Sequence, residues 1–144
     1  MCIFVQNKNL KTAEEDIICY KVLKRKNLYD STPVSPYHSE MKWDFDKLFD
    51  APQSTLRTRY DIYHNGWFIS DGYFYSYKYY SDAYESFKKM CYMCMYMIAK
   101  CTIPKGTQYY EGIQGSPFQD HDEIMRNGEY AYASKQLIIN DIIY

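Results

Sequence analysis

The residue types best suited to chemistry in this 144-residue chain are its five cysteines and three histidines. Cys91 and Cys94 stand three apart, a spacing used by zinc and dithiol sites. A structural zinc site needs four ligands, however, and the sequence offers no second Cys-x-x-Cys and no paired histidines. Both cysteines also fall on the apolar face of a predicted helix. The sequence therefore predicts core packing for Cys91 and Cys94, with no metal and no other cofactor.

Asp120-His121-Asp122 is a second candidate, because a His–Asp pair can help to hold a metal that activates water. Such sites use several further His and Asp ligands, which the sequence does not supply, so an exposed polar loop is predicted instead. Glycine-rich phosphate loops and the Gly-x-Ser-x-Gly nucleophile elbow do not occur either. These absences lower the prior for an enzyme without excluding one, and no catalytic residue is assigned.

Tyrosine is the most unusual feature of the composition, with 18 residues. If residues 73–80 form a strand, Tyr73, Tyr75, Tyr77 and Tyr79 project from one face of it. Such a face can belong to the core, form an interface with another protein, or provide a platform on which flat rings stack. The sequence leaves these three interpretations open.

Basic residues supply a second element of a binding site. Arg57 and Arg59 alternate onto one face of a predicted strand, where two guanidinium groups can clamp a phosphate or carboxylate. Ordinary solvated charge is the alternative. The predicted ligand-binding set combines these arginines with the tyrosine stripe and two lysines: Arg57, Arg59, Tyr73, Tyr75, Tyr77, Lys78 and Lys105.

The elements that would position these residues are mostly short strands. Alternating and β-branched runs predict strands over 17–23, 57–63, 67–69, 73–80, 95–103 and 108–113, and a strand pair or one bent strand over 130–139. The turn signal Asn65-Gly66 predicts a hairpin between the second and third of these. The spacing of Ala83, Phe87, Met90 and Cys94 predicts one main helix over 81–94. The fold class is therefore α+β, a mostly antiparallel sheet of short strands packed on that helix.

Three shorter segments complete the predicted elements. A capping box at residues 12–15 predicts a helical turn, and the aromatic residues within 43–49 predict a short helix. Residues 114–128 are polar and predict a loop. Nothing in the composition divides the chain, so residues 1–144 are predicted to form a single compact domain.

Charge and hydropathy limit the partners. The 17 basic and 18 acidic side chains balance, which argues against extended nucleic acid and against a polybasic membrane contact. We find no signal peptide and no apolar run of membrane-spanning length, which predicts a cytoplasmic protein with reduced thiols. Aromatic residues make up 19% of the chain, and the net charge is only -1. Clustered surface tyrosine and weak charge repulsion predict a homo-oligomer.

Several short motifs follow one another in a familiar order. They are Cys19-Tyr20-Lys21-Val22, Ser35-Pro36-Tyr37, Cys101-x-Ile103-Pro104-Lys105-Gly106 and Tyr132-Ala133-Ser134. In this order the chain resembles small uncharacterised accessory proteins of tailed phages and gut Bacteroides-type genomes. The resemblance implies a phage accessory protein that acts by binding, in the cytoplasm of a bacterial host.

Three functions are compatible with these observations. The first is a non-catalytic binding module, such as a phage counter-defence protein that sequesters a nucleotide-like signal. The second is an ADP-ribosyltransferase-like enzyme, for which Arg57, Ser76 and Glu129 occur in the required order although the usual Glu/Gln-x-Glu element is missing. The third is an inhibitor that docks an aromatic face onto a host protein.

Overall fold

The computed structural model describes residues 3–35, 42–51, 57–90, 93–116, 118–126 and 128–144, except for the side chains of residues 57, 70 and 71. Two helices, α1 (Tyr80–Lys88) and α2 (His121–Arg126), and a 3₁₀ turn at Met93–Met95 accompany the strands. In chain order the strands are β1 (Ile3–Val5), β2 (Lys11–Thr12), β3 (Ile17–Asn27), β4 (Asp30–Val34), β5 (Leu48–Asp50), β6 (Arg57–Asp61), β7 (Gly66–Asp71), β8 (Phe74–Tyr77), β9 (Tyr96–Ile103), β10 (Gln108–Gln114), β11 (Tyr130–Ser134) and β12 (Gln136–Ile142).

All the described strands belong to one sheet, in which every strand pair is antiparallel. Its order is β5-β12-β9-β3-β8-β11-β10-β1-β7-β6, with β2 added beside β10 and β4 beside β3. The long pairing of β3 with β9 forms the centre, from Ile17 opposite Ile103 to Lys24 opposite Tyr96. The neighbouring strands β3 and β8 pair only at Tyr20 and Tyr77. A narrow seam therefore separates two halves of the sheet.

The sheet is rolled rather than flat. Only Lys135 separates the end of β11 from the start of β12, yet these strands stand four positions apart in the sheet. Four strand spacings would span about 19 Å in a flat sheet, which one residue cannot bridge. The strands β12, β9, β3, β8 and β11 must therefore curl around a common interior. We call the side that faces this interior the inner face.

Alternation along the strands explains the main core on the inner face. In β9 the buried Met97, Ala99 and Cys101 point inward, whereas Ile98 between them points to the outer face. Both halves of the sheet contribute to the inner core, including Leu23 of β3 and Tyr132 of β11. The remaining members of this core are Cys19, Trp43, Ala51, Phe74, Ile103, Leu137 and Ile139.

Helix α1 packs on the outer face and is shorter than the predicted helix over 81–94. Ala83 and Phe87 are buried against the sheet, as predicted, but the helix ends at Lys88, Met90 is half-buried and Cys94 is exposed. Because β9 must begin at residue 96 to pair along β3, the chain leaves the helix early. The sheet dominates the fold, and the α+β class holds in that coarser form.

Three further predictions about helices and loops are wrong. Residues 12–15 form no helical turn, because Thr12 pairs with Gln108 at the edge of β10. Residues 43–49 form no helix, since Trp43 donates its backbone N–H to Pro33 and β5 follows. The predicted loop over 114–128 contains α2, whose single buried residue, Ile124, gives almost no periodic signal.

The predicted strands over 17–23 and 108–113 are confirmed as parts of β3 and β10, and the one over 95–103 is confirmed as β9, which begins one residue later. The predicted hairpin is confirmed as the β6–β7 pair. The strand predicted over 73–80 is shorter, because residue 80 already begins α1. The segment 130–139 is a bent chain rather than a strand pair, since β11 and β12 pair with different neighbours.

Candidate functional site

Two serine hydroxyls inside the rolled sheet lack hydrogen-bond partners among the residues that the structure describes. Ser76 lies opposite Tyr132 and Ser134 opposite Phe74 in the β8–β11 pair, so both side chains share the inner face. Both serines are fully buried, and neither Oγ atom has a hydrogen-bond partner within the described parts of the chain. A buried hydroxyl that forfeits its hydrogen bonds to water costs about 1–3 kcal/mol. These two positions therefore weaken the core in which they sit.

Lys21 brings a positive charge to the same interior. It lies on the inner face of β3 just beyond the seam with β8, and its Nζ atom donates a hydrogen bond of 2.6 Å to the backbone oxygen of Tyr75. Burial lowers the pKa of Lys21 from 10.5 to about 8, while the thiols of Cys101 and Cys19 act in the opposite direction. Among the residues that the structure describes, no carboxylate forms an ion pair with Lys21.

Trp43 covers this part of the interior. Its ring centroid lies 5.2 Å from that of Phe74 and 4.8 Å from that of Phe49, in edge-to-face contacts. The Nζ atom of Lys21 is 5.9 Å from the centroid of the indole ring. The indole Nε1 is buried, and no described residue provides it with an acceptor. Trp43 thus adds a third unsatisfied polar group to the set formed by Ser76 and Ser134.

The chemistry of this cluster is that of a hydrogen-bond donor site. An ammonium, an indole N–H and two hydroxyls lie on the inner side of the sheet, where the Tyr75 backbone oxygen accepts a hydrogen bond from Lys21. An anionic group would accept hydrogen bonds from these donors and balance the charge of Lys21. We call Lys21, Trp43, Ser76 and Ser134 the Lys21 site.

The site offers neither a metal centre nor a reactive thiol. Within the described parts of the chain, no three His, Cys, Asp or Glu side chains gather closely enough to hold a metal ion. Cys19 and Cys101 lie directly opposite each other on β3 and β9 and are fully buried. Burial, followed by the neighbouring Cys19, raises the pKa of the Cys101 thiol, so it stays protonated at neutral pH. A protonated thiol is a poor nucleophile.

A charged triplet is centred on Glu111 in β10, the strand next to β11. Glu111 accepts hydrogen bonds from Lys78 at 2.6 Å and from Lys11 at 3.3 Å. Burial would raise the pKa of Glu111, but these two lysines hold it below its usual value. Tyr132, opposite Glu111, has its pKa raised to about 12 by burial and by that carboxylate. Lys78, one of the predicted ligand-binding residues, is thus engaged with a partner.

The structure uses the predicted tyrosine stripe mainly for internal contacts. Tyr77 is buried, and its hydroxyl lies 2.6 Å from Oε1 of Gln114 and 2.8 Å from Oγ of Ser86. The half-buried Tyr75 donates its hydroxyl to the backbone oxygen of Ile69. Tyr73 precedes the strand and packs against Tyr110.

The ring of Tyr73 is in contact with two other side chains. Its ring centroid is 5.5 Å from that of Tyr110, and the Nζ atom of Lys135 lies 4.1 Å above its ring. Burial raises the pKa of Tyr73 to about 12. A stacking ligand would have to displace these contacts.

The predicted basic residues are spread over the molecule. A register shift between Arg57 and Thr58 interrupts the alternation of β6, and Arg59 is exposed on that strand. Lys105 is exposed in the turn between β9 and β10, where its backbone N–H is bound by Asp16. The structure therefore does not bring Arg59, Lys78 and Lys105 together in one site.

The residues required for the transferase alternative lie in different surroundings. The strand of Arg57, β6, stands five positions from β8, which carries Ser76. Ser76 is fully buried, and Glu129 is held by a hydrogen bond of 2.7 Å from Lys89. Of the other motifs, Cys94 is exposed rather than in the core, and Cys91 lies outside the described residues.

The sequence motifs did not identify the Lys21 site, although two weak features of the sequence pointed to it. Lys21 occupies an inward position between Cys19 and Leu23, where the alternation of the strand predicts an apolar residue. Residues from three of the four short motifs also meet in this interior, namely Lys21, Cys101 and Ser134.

No family model matches the chain, and comparisons with curated proteins and with solved structures each gave no match. No helix in the described chain has the length and apolar character needed to cross a membrane.

Proposed function

We propose that this protein is a non-catalytic binding domain that takes the anionic group of a small ligand into the Lys21 site. The observation that carries the proposal is the surplus of buried donors: among the residues that the structure describes, Trp43, Ser76 and Ser134 have no partners, and they share the inner side of the sheet with the ammonium of Lys21. Packing alone does not explain polar groups at these inward positions, because apolar residues there would be more stable. Sites that weaken a fold in this way are often binding sites.

The site narrows the chemical class of the ligand. A carboxylate or a phosphate supplies the acceptors and the negative charge that the cluster lacks. Trp43 is packed between Phe49 and Phe74, so a ligand's ring would lie at the edge of the site rather than on the indole face. A nucleotide fits this description, with its phosphate inside. The resemblance to phage accessory proteins makes sequestration of a nucleotide signal of bacterial defence the version to test first.

The test is a binding panel read by calorimetry and thermal shift. It contains mononucleotides, cyclic nucleotides, ADP-ribose, inorganic phosphate and simple carboxylates, so that phosphate and carboxylate recognition are separated. Lys21→Met keeps the length of the side chain and removes its charge. The matched control is Lys100→Met, which removes an exposed lysine from the neighbouring strand β9.

We expect at least one anion to bind the native protein and Lys100→Met, and to bind Lys21→Met at least tenfold more weakly. Ligand recovered intact after heating the complex supports binding over turnover. Silence across the panel, or equal affinity in both methionine variants, would end the proposal.

A further inference from the structure

Three apolar side chains project from two adjacent loops that carry none of the Lys21 site residues. In the turn between β6 and β7, Ile62 is 77% exposed and Tyr63 is 93% exposed. In the segment between β10 and α2, Phe118 is 99% exposed. We call Ile62, Tyr63 and Phe118 the aromatic knob. Exposed aromatic residues at loop tips are typical of contact points with another molecule.

His64 holds the two loops of the knob together. Its Nε2 atom lies 2.6 Å from the backbone oxygen of Gln119, and its Nδ1 atom lies 3.1 Å from Oδ1 of Asp61. The ring is buried and packs edge-to-face on Phe68. Because His64 and Gln119 directly adjoin Tyr63 and Phe118, this contact fixes the spacing of the exposed tips. The knob is thus pre-organised, which lowers the entropic cost of docking.

An apolar groove lies at the tip of the β3–β4 hairpin. It has a volume of about 410 Å³ and is lined by Leu28, Tyr29, Cys94 and Met95, with Lys26 and Asn27 at its edge. Leu28 is 65% exposed, and Tyr29 is 99% exposed. The high exposure of both surfaces shows that neither covers the other within one chain. We call this surface the hairpin groove.

The charges around the two surfaces are opposite in sign. The segment from Phe118 to the end of α2 carries three exposed carboxylates, Asp120, Asp122 and Glu123, against one cation, Arg126. The hairpin carries Lys24, Arg25 and Lys26 against one carboxylate, Asp30. Opposite potentials favour association of the two surfaces and oppose knob-to-knob contact. The acidic surroundings also disfavour an anionic lipid surface as the partner of the knob.

We propose that the aromatic knob of one copy docks into the hairpin groove of a second copy of this chain. The interface is head-to-tail, since each copy offers one knob and one groove. Such an interface leads to a ring if the rotation closes and to an open chain if it does not. The inference is independent of the Lys21 site, because it involves none of the four residues there.

Complementation between variants tests this arrangement. Tyr63→Ser with Phe118→Ser removes the knob, and Leu28→Asp blocks the groove; all three residues are exposed, so folding should be unaffected, as circular dichroism can verify. Tyr144→Ser, at another exposed tyrosine, is the control. Mass is measured by light scattering on a sizing column, for each protein alone and for a 1:1 mixture of knob and groove variants.

We expect native protein and the Tyr144 control to be larger than a monomer, with the fraction assembled falling as salt is raised. Each interface variant alone should be a monomer, and their mixture should give dimers and nothing larger. A monomeric native protein at high micromolar concentration would overturn the proposal, and so would a groove variant that still assembles. A mixture that stays monomeric would overturn it as well.

Discussion

At the scale of single residues, the Lys21 site makes stability and binding oppose each other. Ser134 contributes a buried hydroxyl that has no partner in the described chain, whereas the buried Ser86 bonds to Tyr77 at 2.8 Å. We expect Ser134→Ala to raise the free energy of unfolding by about 1–2 kcal/mol and to weaken ligand binding. Ser86→Ala, the control, should lower it by about 1 kcal/mol. Urea unfolding measures both. A Ser134→Ala protein less stable than the native one would contradict the assignment.

Lys21 predicts a pH dependence with a definite sign. Its pKa falls from 10.5 to about 8 on folding, so between these values the unfolded chain binds more protons than the native protein. The free energy of unfolding should therefore increase as the pH rises from about 8 to 10.5. Lys21→Met should lack this contribution and Lys100→Met should keep it. Affinity for an anionic ligand should fall as the pH rises through 8, because neutral Lys21 no longer balances the ligand's charge.

The sequence could not identify this site, for a physical reason. Motif searches find residues that are close along the chain, whereas Lys21, Ser76 and Ser134 meet only after the sheet has rolled. The predicted set, which includes Tyr77, rests on the correct alternation within one strand. Alternation does not indicate which face of that strand a helix will cover. Tyr77 lies on the face that α1 covers, and its ring packs against that helix.

At the scale of elements, local patterns predicted strands better than helices. The alternation predicted for β3 and β9 is observed because one face of these strands packs in the inner core and the other packs against α1. The end of α1 was not predictable, since the apolar spacing runs on from Phe87 to Cys94 although the chain turns away at Lys89. Helix α2 was missed because six residues with one buried side chain resemble a loop.

The packing of α1 gives a prediction at this scale. Phe87 is buried against Val22, Tyr77 and Ile98. We expect Phe87→Ala to cost about 3–5 kcal/mol, a large share of the stability of a domain of this size. Ser81→Ala, on the exposed side of the helix, is the control and should change little. Chemical denaturation measures the free energy of unfolding of both variants. A decrease below about 1 kcal/mol for Phe87→Ala would mean that α1 is not firmly packed on the sheet.

The contact between the β6–β7 turn and the segment before α2 should respond to pH. The hydrogen bond to Gln119 and the proximity of Asp61 raise the pKa of His64, and Asp120 adds to this effect. A raised pKa means that the stabilisation is complete below the unfolded value of 6.5 and is lost as the pH rises through the folded value. His64→Gln should therefore differ most from native protein below pH 6.5. His121→Gln, whose ring centroid lies 6.4 Å from that of His64, controls for loss of a nearby imidazole.

At the scale of the whole molecule, the order of strands could not be read from the sequence. Alternation fixes which residues point inward but not which strand pairs with which, and the jump from β11 to β12 across four strand positions has no local signal. The single-residue link at Lys135 is what shows the roll.

The rolled sheet should open as one unit despite its narrow seam. The two halves pair only at Tyr20 and Tyr77, but the inner core takes Cys101 from one half and Phe74 and Tyr132 from the other. Separating the halves would expose that core, so we expect no partial opening below the global free energy of unfolding. Iodoacetamide should modify the exposed Cys94 quickly and Cys101 only on complete unfolding. The opening free energy from Cys101 labelling should then equal that from amide exchange in β11. If Cys101 reacts much faster than β11 amides exchange, the seam opens alone, and access to the Lys21 site would run through it.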